Sequence, residues 1–399
     1  MKIIQIGGTF VGAQKKIESS IHNFLQTTGH ESKILYAIGE SDDKNIICYE
    51  NRFLNLIRRF LRKYIGKNPH FSLLSTLNII RYIEEYKPDV VNFHVMHNGY
   101  MDYVILLKYL ANKKIPVVFT AHDMWFMTGG CYHYADIGCE EFKKGCLNCP
   151  KHKKELDCSQ RKTGKYFLQK KRLFEKLHRI SFISVSAWVH AEISRSHLNR
   201  YQNYLVWNAL DDMEPLAVVP AFDLPNGKFK IIGVAGSWTE SKGINRFFEL
   251  ASLLGDDFEI TLVGGINNAW KAFAPNNMRF AGSISNSTEL QKLYASSDLH
   301  VSMSLEETFG MTFVESAFAG IRSMGFNCTA IPGVLKKVHG YIIPAADVAA
   351  AAEQIRLLSN NRINCRLSET EYTEIVKIFS ANGMAKEYAE IYEKQLSML

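Results

Sequence analysis

No apolar run in this chain of 399 residues approaches the roughly 18 that a membrane-spanning helix needs. Nor does a secretory signal stand at the start, since MKIIQIGG leads straight into a strand-like stretch. Both absences point to the cytoplasm, where the eight cysteines should be mostly reduced. No short-period repeat or low-complexity tract is visible either. What is present is an ordinary soluble globular composition, 47% hydrophobic and 22% charged. The length exceeds what a single core usually holds, and two domains are expected.

Strand-like and helix-like segments alternate along the chain. Ile3 to Gly7, Lys33 to Gly39, Val90 to His94, Ile115 to Ala121 and Ile180 to Val185 read as buried strands with helical segments between them. A second series follows at Ile231 to Ala235, Glu259 to Val263, Met278 to Ala281, Leu299 to Ser304 and Ile321 to Gly325. The economical solution is an α/β fold of two doubly wound parallel sheets, residues 1–210 and 226–380. Pro215, Pro220 and Pro225 interrupt any regular pattern at the join. The tail, 381–399, is helical and carries Met384, Tyr388, Ile391 and Tyr392 at core spacing. Doubly wound folds bind ligands outside the carboxyl ends of their strands. Those ends carry Gly7-Gly8-Thr9, His94 and Thr120-Ala121-His122-Asp123 in the first half, and Gly236, Gly264-Gly265, Gly282 and Glu306-Glu307 in the second.

The run Glu307-Thr-Phe-Gly-Met-Thr-Phe-Val-Glu315 sets two carboxylates around a helix start that follows a strand. Between them the N–H groups of Gly310, Met311 and Thr312 would point outward with the positive helix end, which suits a diphosphate. A carboxylate beside a phosphate site cannot bind phosphate, so it must serve hydroxyls, a sugar on one side and a ribose on the other. Taken alone, the same residues also fit a solvated acidic helix start.

The spacing of Glu, seven residues and Glu around a Phe-Gly resembles the signature of glycosyltransferase family 4, which has the GT-B fold. A second motif stands where that family needs one: the strand Lys228 to Ala235, then Gly236-Ser-Trp-Thr-Glu-Ser-Lys242-Gly243 and an amphipathic helix through Leu254. This resembles the family's phosphate-binding lysine followed by glycine. The family usually places an arginine just after the first glycine, and here Ser237 and Trp238 stand instead. His122 resembles the family's strand-end histidine that contacts the transferred sugar. Gly8 and Thr9 resemble its glycine-rich first loop near the phosphates and acceptor. In that family the C-terminal tail crosses back to the first domain and the two domains face each other across a cleft.

Following His122, residues 124–160 form an insert in which Cys131, Cys139, Cys146 and Cys149 fall within 19 residues. Only Cys146 and Cys149 have the short zinc spacing. A structural zinc, reduced packed thiols and disulfides all remain open. The HD-x-W, GC and CP pieces of this insert together resemble one branch of family 4, the bacterial exopolysaccharide and O-antigen glycosyltransferases of the colanic acid type.

Charge is uneven. Residues 51–72 carry +6 and residues 143–179 carry +10, which leaves −9 for the rest of a chain of net +7. Phe53, Ile57, Phe60, Leu61 and Tyr64 line one side of a helical pattern, and Arg52, Arg58, Arg59, Arg62 and Lys63 the other. That suits an anionic bilayer surface, or equally a helix packing its apolar side on the core. No motif for nucleic acid accompanies the basic surface, and no such partner is expected.

The resemblance implies a retaining glycosyltransferase, hexosyltransferase in type, which moves a sugar from a UDP- or GDP-sugar to a lipid-linked saccharide in bacterial surface polysaccharide synthesis. Such an enzyme would work in the cytoplasm, peripheral at the inner face of the plasma membrane. Glu307 would hold the donor sugar's hydroxyls, Glu315 the ribose, and Gly236, Lys242, Gly310, Met311 and Thr312 the diphosphate. No Asp-x-Asp occurs, so no metal bridging the diphosphate is expected and no cofactor is required for catalysis. Two rivals are a GT-B sugar-nucleotide epimerase and a non-enzymatic nucleotide-binding protein.

Overall fold

The computed structural model describes residues 1–50, 53, 55–56, 60, 72–151, 156, 160–210 and 227–397. It divides into two compact units, Met1–Asn208 with Ala381–Leu399, and Ala209–Ser380.

The strands, in chain order, are β1 (Lys2–Ile6), β2 (Thr9–Phe10), β3 (Glu31–Tyr36), β4 (Ile38–Gly39), β5 (Ile46–Cys48), β6 (Val90–Phe93), β7 (Val117–Ala121), β8 (Ile180–Ser184) and β9 (Gln202–Leu205) in the first unit. The second unit holds β10 (Phe229–Ser237), β11 (Phe258–Gly265), β12 (Met278–Gly282), β13 (Leu299–Ser302), β14 (Ser323–Phe326) and β15 (Tyr341–Ile343). A seven-stranded sheet runs β5-β3-β1-β6-β7-β8-β9, and a six-stranded sheet runs β12-β11-β10-β13-β14-β15. The pairings in both are parallel.

Parallel sheets are covered on both faces, so their central strands are apolar throughout instead of alternating. Ile3, Ile4, Ile6, Val90, Val91, Phe93, Val117, Val118 and Phe119 are all fully buried. The helix α1 (Gly12–Thr27) lays Ile17, Ile21 and Leu25 inward, and α4 (Ala381–Ser397) does so with Met384, Tyr388, Ile391 and Tyr392. Asn92 of β6 donates to the Tyr392 hydroxyl at 2.8 Å, and Arg179 to the Leu396 carbonyl at 3.0 Å, tying the last helix into the first unit. The second unit's core gathers Ile231, Phe247, Leu250, Ile260, Leu262, Val301 and Ile355. Phe247 and Leu250 belong to α2 (Ile244–Leu254).

Three of the departures from the expected boundaries have a visible cause in the backbone. The stretch Lys33 to Gly39 is broken at Ala37, because the N–H groups of Ala37 and Ile38 both turn to the Gly8 carbonyl, at 3.0 and 3.1 Å. Strand β13 stops at Ser302, two residues early, and Ser304 turns its hydroxyl to the Glu306 carbonyl at 3.1 Å. Ile321 bridges Arg366 in antiparallel fashion outside the sheet, so β14 begins at Ser323.

Candidate active site

In each sheet the strand order reverses at one point. It does so between β10 and β13 in the second unit and between β1 and β6 in the first. Crevices at such switch points, beyond the carboxyl ends of the strands, are where open α/β sheets bind ligands.

The second unit sets Lys242 after β10 and Glu307 after β13, one on each side of its switch point. The Lys242 ammonium donates to Glu307 Oε1 at 2.6 Å, with both side chains partly exposed. The backbone around this pair is held without help from the pair itself. Lys242 N–H donates to Thr239 Oγ1 at 3.2 Å, and Glu307 N–H to Thr329 Oγ1 at 3.0 Å. The Glu307 carbonyl accepts from Ala330 N–H at 3.2 Å, and Arg246 donates to the Met303 carbonyl at 2.8 Å. Gly243 has φ 85° and lies so close to Met303 that a Cβ there would stand 2.2 Å from its carbonyl oxygen. Only glycine allows both the turn and that approach. Gly236 meets no such limit, since a Cβ on it would touch nothing.

Gly310, in the left-handed region at φ 89°, opens α3 (Met311–Phe318), which has no side-chain cap. The first N–H groups of a helix have no acceptor within it, so those of Met311 and Thr312 are directed to whatever occupies the crevice. Glu315 follows one turn on and accepts from the Tyr294 hydroxyl at 3.3 Å. Burial, and then the Glu315 carboxylate, hold that hydroxyl's pKa well above its usual value, so it stays a donor. Trp238 is a core residue. It is 5% exposed, donates from Nε1 to the Val263 carbonyl at 3.1 Å and packs edge-on to Phe247. Lys242 is therefore the cation of the loop from residue 238 to 243.

In the first unit, Gly8 and Thr9 follow β1, His94 follows β6 and His122 follows β7. His94 and His122 stack at 5.2 Å, with Nδ1 of the first 2.9 Å from Nε2 of the second. Nε2 of His94 continues to Gln5 Oε1 at 3.1 Å. Burial lowers both imidazoles, His122 to about 4, so the pair is neutral near pH 7. Both nitrogens of His94 are engaged, one by His122 and the other by Gln5. Beside them His97 Nε2 meets Asp123 Oδ2 at 2.6 Å, and Asp123 Oδ1 accepts from Trp125 N–H at 2.8 Å. Burial pushes the Asp123 carboxyl up, but His97 and the Trp125 N–H together hold it below its usual value.

Thr329, Thr239, Ser304 and His97 were not singled out from sequence. Threonine and serine that bond loop backbone carry no motif of their own, and His97 reaches Asp123 only because β6 and β7 are neighbours. The four insert cysteines all line one cavity, described below. Of the basic segment, Phe53, Leu56 and Phe60 are helical and exposed, at 68, 63 and 59%. Arg52, Ile57, Arg58, Arg59, Leu61, Arg62, Lys63 and Tyr64 lie outside the described residues. Among the described residues no helix is long and apolar enough to cross a membrane.

A family model described as Glycosyltransferase Family 4 matches residues 20–211, and one described as Glycosyl transferases group 1 matches residues 220–374. The chain belongs to glycosyltransferase family 4. This glycosyltransferase has the GT-B fold, in keeping with its likeness to solved structures. A glycosyltransferase from Rickettsia africae aligns with a TM-score of 0.67 at 18% identity, covering 100% of this chain and 99% of that one. HepE from Anabaena, in complex with UDP-glucose, aligns with a TM-score of 0.64 at 12% identity, covering 99% and 100%. Among curated proteins, an uncharacterized 41.2 kDa protein in the cps region of Klebsiella pneumoniae is 20% identical over 98% of this chain and 99% of its own length.

Proposed function

We propose that this glycosyltransferase moves a hexose, with retention of configuration, from a nucleotide-sugar donor to a lipid-linked saccharide during synthesis of a bacterial surface polysaccharide. The observation that carries the reading is the Lys242–Glu307 contact beside the free helix start at Met311 and Thr312. A cation and helix N–H groups suit a diphosphate, while a carboxylate next to them suits only hydroxyls. Lys242, Gly236, Gly310, Met311 and Thr312 are assigned to the diphosphate, Glu307 to the donor sugar's hydroxyls and Glu315 to the ribose. Binding the donor then means that Lys242 exchanges part of its bond to Glu307 for phosphate oxygens, which frees the carboxylate for the sugar.

His122 is assigned to the transferred sugar, and Gly8 and Thr9 to its surroundings in the first unit. Catalysis is mostly positioning, plus stabilisation of the departing diphosphate by lysine and helix dipole. The HepE likeness, in which the solved structure holds UDP-glucose, supports a nucleotide-sugar donor. The Klebsiella relative from a cps region supports surface polysaccharide as the product. Exposed Phe53, Leu56 and Phe60 beside a run of arginines suit docking on an anionic bilayer, where a lipid-linked acceptor would be found.

The test is transfer itself. The enzyme is incubated with UDP- and GDP-sugars and polyprenyl-diphosphate saccharides, and products are read by mass spectrometry. The expected result is one added hexose on the acceptor with release of nucleoside diphosphate. Conversion of the donor without acceptor would point to an epimerase, and no binding of any nucleotide sugar to a non-enzymatic binding protein.

A further inference from the structure

Among the described residues of the insert 124–160, the regular elements are short 3₁₀ turns, at Trp125–Met127, Ala135–Ile137 and Glu141–Lys144, with another opening at Gln160. Loops of that length without secondary structure of their own are uncommon in compact domains, and small irregular segments usually need a staple. Here the sequence turns sharply at Gly145 and Cys146, with φ 95° and 55°. The turn brings the Cys146-x-x-Cys149 pair toward the same space as Cys131 and Cys139. All four line one cavity, together with Thr128, Tyr134 and Leu156. The free space in this cavity is about 10 Å³, room for a single atom-sized body.

We propose that Cys131, Cys139, Cys146 and Cys149 bind one structural Zn²⁺ that pins this insert. Four sulfurs drawn from a CxxC turn and two further positions are the ligand set and count of a closed structural zinc site, with Zn–S bonds of about 2.3 Å. Space for one atom favours a single ion over a multi-iron cluster. Donors for coordinated thiolates are already in place: Gly129 N–H points at Cys146 Sγ at 3.1 Å, and Lys151 N–H bonds Cys149. Such N–H contacts to sulfur orient ligands and spread their charge. Binding releases four thiol protons to solvent and leaves a site of net charge −2.

The buried Lys170 ammonium, which lies 3.7 Å from the centre of the Trp125 ring, interacts electrostatically with Cys131 and Cys146 and offsets part of that charge. Among the described residues the cysteines are free thiols, and no three His, Cys, Asp or Glu side chains have closed around a point. The thiols must therefore rotate inward when the ion arrives.

Protein purified under reducing conditions is analysed for metals by mass spectrometry, and a chelated, reduced sample is then titrated with Co²⁺. One zinc per chain is expected, together with the strong visible absorption of tetrahedral Co²⁺ bound to thiolate. Cys146→Ser and Cys149→Ser should lose the metal, while Cys48→Ser and Cys365→Ser retain a full equivalent. If the first two variants do not fold, the metal content and Co²⁺ spectrum of the parent decide by themselves. Iron in place of zinc, paired cysteines by intact mass, or a reduced protein that takes up neither zinc nor Co²⁺ would overturn the assignment.

Discussion

Replacing Glu307 by alanine separates a catalytic carboxylate from a structural one. The side chain bonds Lys242 at 2.6 Å, while the backbone of Glu307 is held by Thr329 and Ala330. Removing the carboxylate therefore leaves the loop's own anchors intact. Lys242 is more than one-third exposed, so solvent screens the pair and its loss should lower stability by less than about 1 kcal/mol. In the reaction the same carboxylate is expected to hold a sugar hydroxyl through a charge-assisted hydrogen bond of about 1.5–3 kcal/mol. If that bond is made in the transition state, its loss slows turnover roughly 10- to 150-fold. Steady-state kinetics alongside thermal unfolding would read both quantities. Turnover close to the parent's, or a drop in melting temperature large enough to explain the lost activity, would refute the reasoning.

Three further outcomes are expected. Glu18 is fully buried, and burial raises its carboxyl to about 8. Between 4.5, its unfolded value, and about 8 the folded chain holds a proton that the unfolded chain has lost, so stability falls by about 1.4 kcal/mol per pH unit over that window. Glu18→Gln should flatten this slope and stabilise more near pH 8 than near pH 5, as urea midpoints across that range would show; an unchanged slope would mean that Glu18 is ionised in the fold. Transfer should survive brief EDTA treatment, since the proposed site gives the diphosphate protein partners, and an activity restored only by Mg²⁺ or Mn²⁺ would contradict this. Changing Arg58, Arg59, Arg62 and Lys63 together to Gln should weaken binding to anionic vesicles and slow transfer to lipid-linked acceptor, with donor affinity unchanged; vesicle binding equal to the parent's would return the segment to the core.

What could be read from sequence follows burial. Strands covered on both faces, such as Val117–Ala121, announce themselves as unbroken apolar runs. The edge strands Ile46–Cys48, Gln202–Leu205 and Tyr341–Ile343 escaped, because they are three or four residues long and partly exposed. Lys242 and Glu307 were legible through motif spacing, but their contact spans 65 positions and depends on β10 and β13 being neighbours. Thr329 belongs to the loop after β14 and meets Glu307 only through the next pairing in the sheet. Such partners are set by strand order, which no local pattern encodes. The His94–His122 contact arose in the same way. Both were visible as strand ends, and the adjacency of β6 and β7 joins them.

The central claim is that the second unit grips a nucleotide-sugar diphosphate through Lys242 and the start of the helix Met311–Phe318. Calorimetric titration of the whole protein with a panel of UDP-, GDP- and ADP-sugars, repeated on Lys242→Ala, tests it most directly. One donor should bind the parent, and its affinity should fall roughly 10- to 150-fold in the variant, in line with the loss of a bond between charged groups. A parent that binds none of these sugars, or a variant that binds them equally well, would contradict the account.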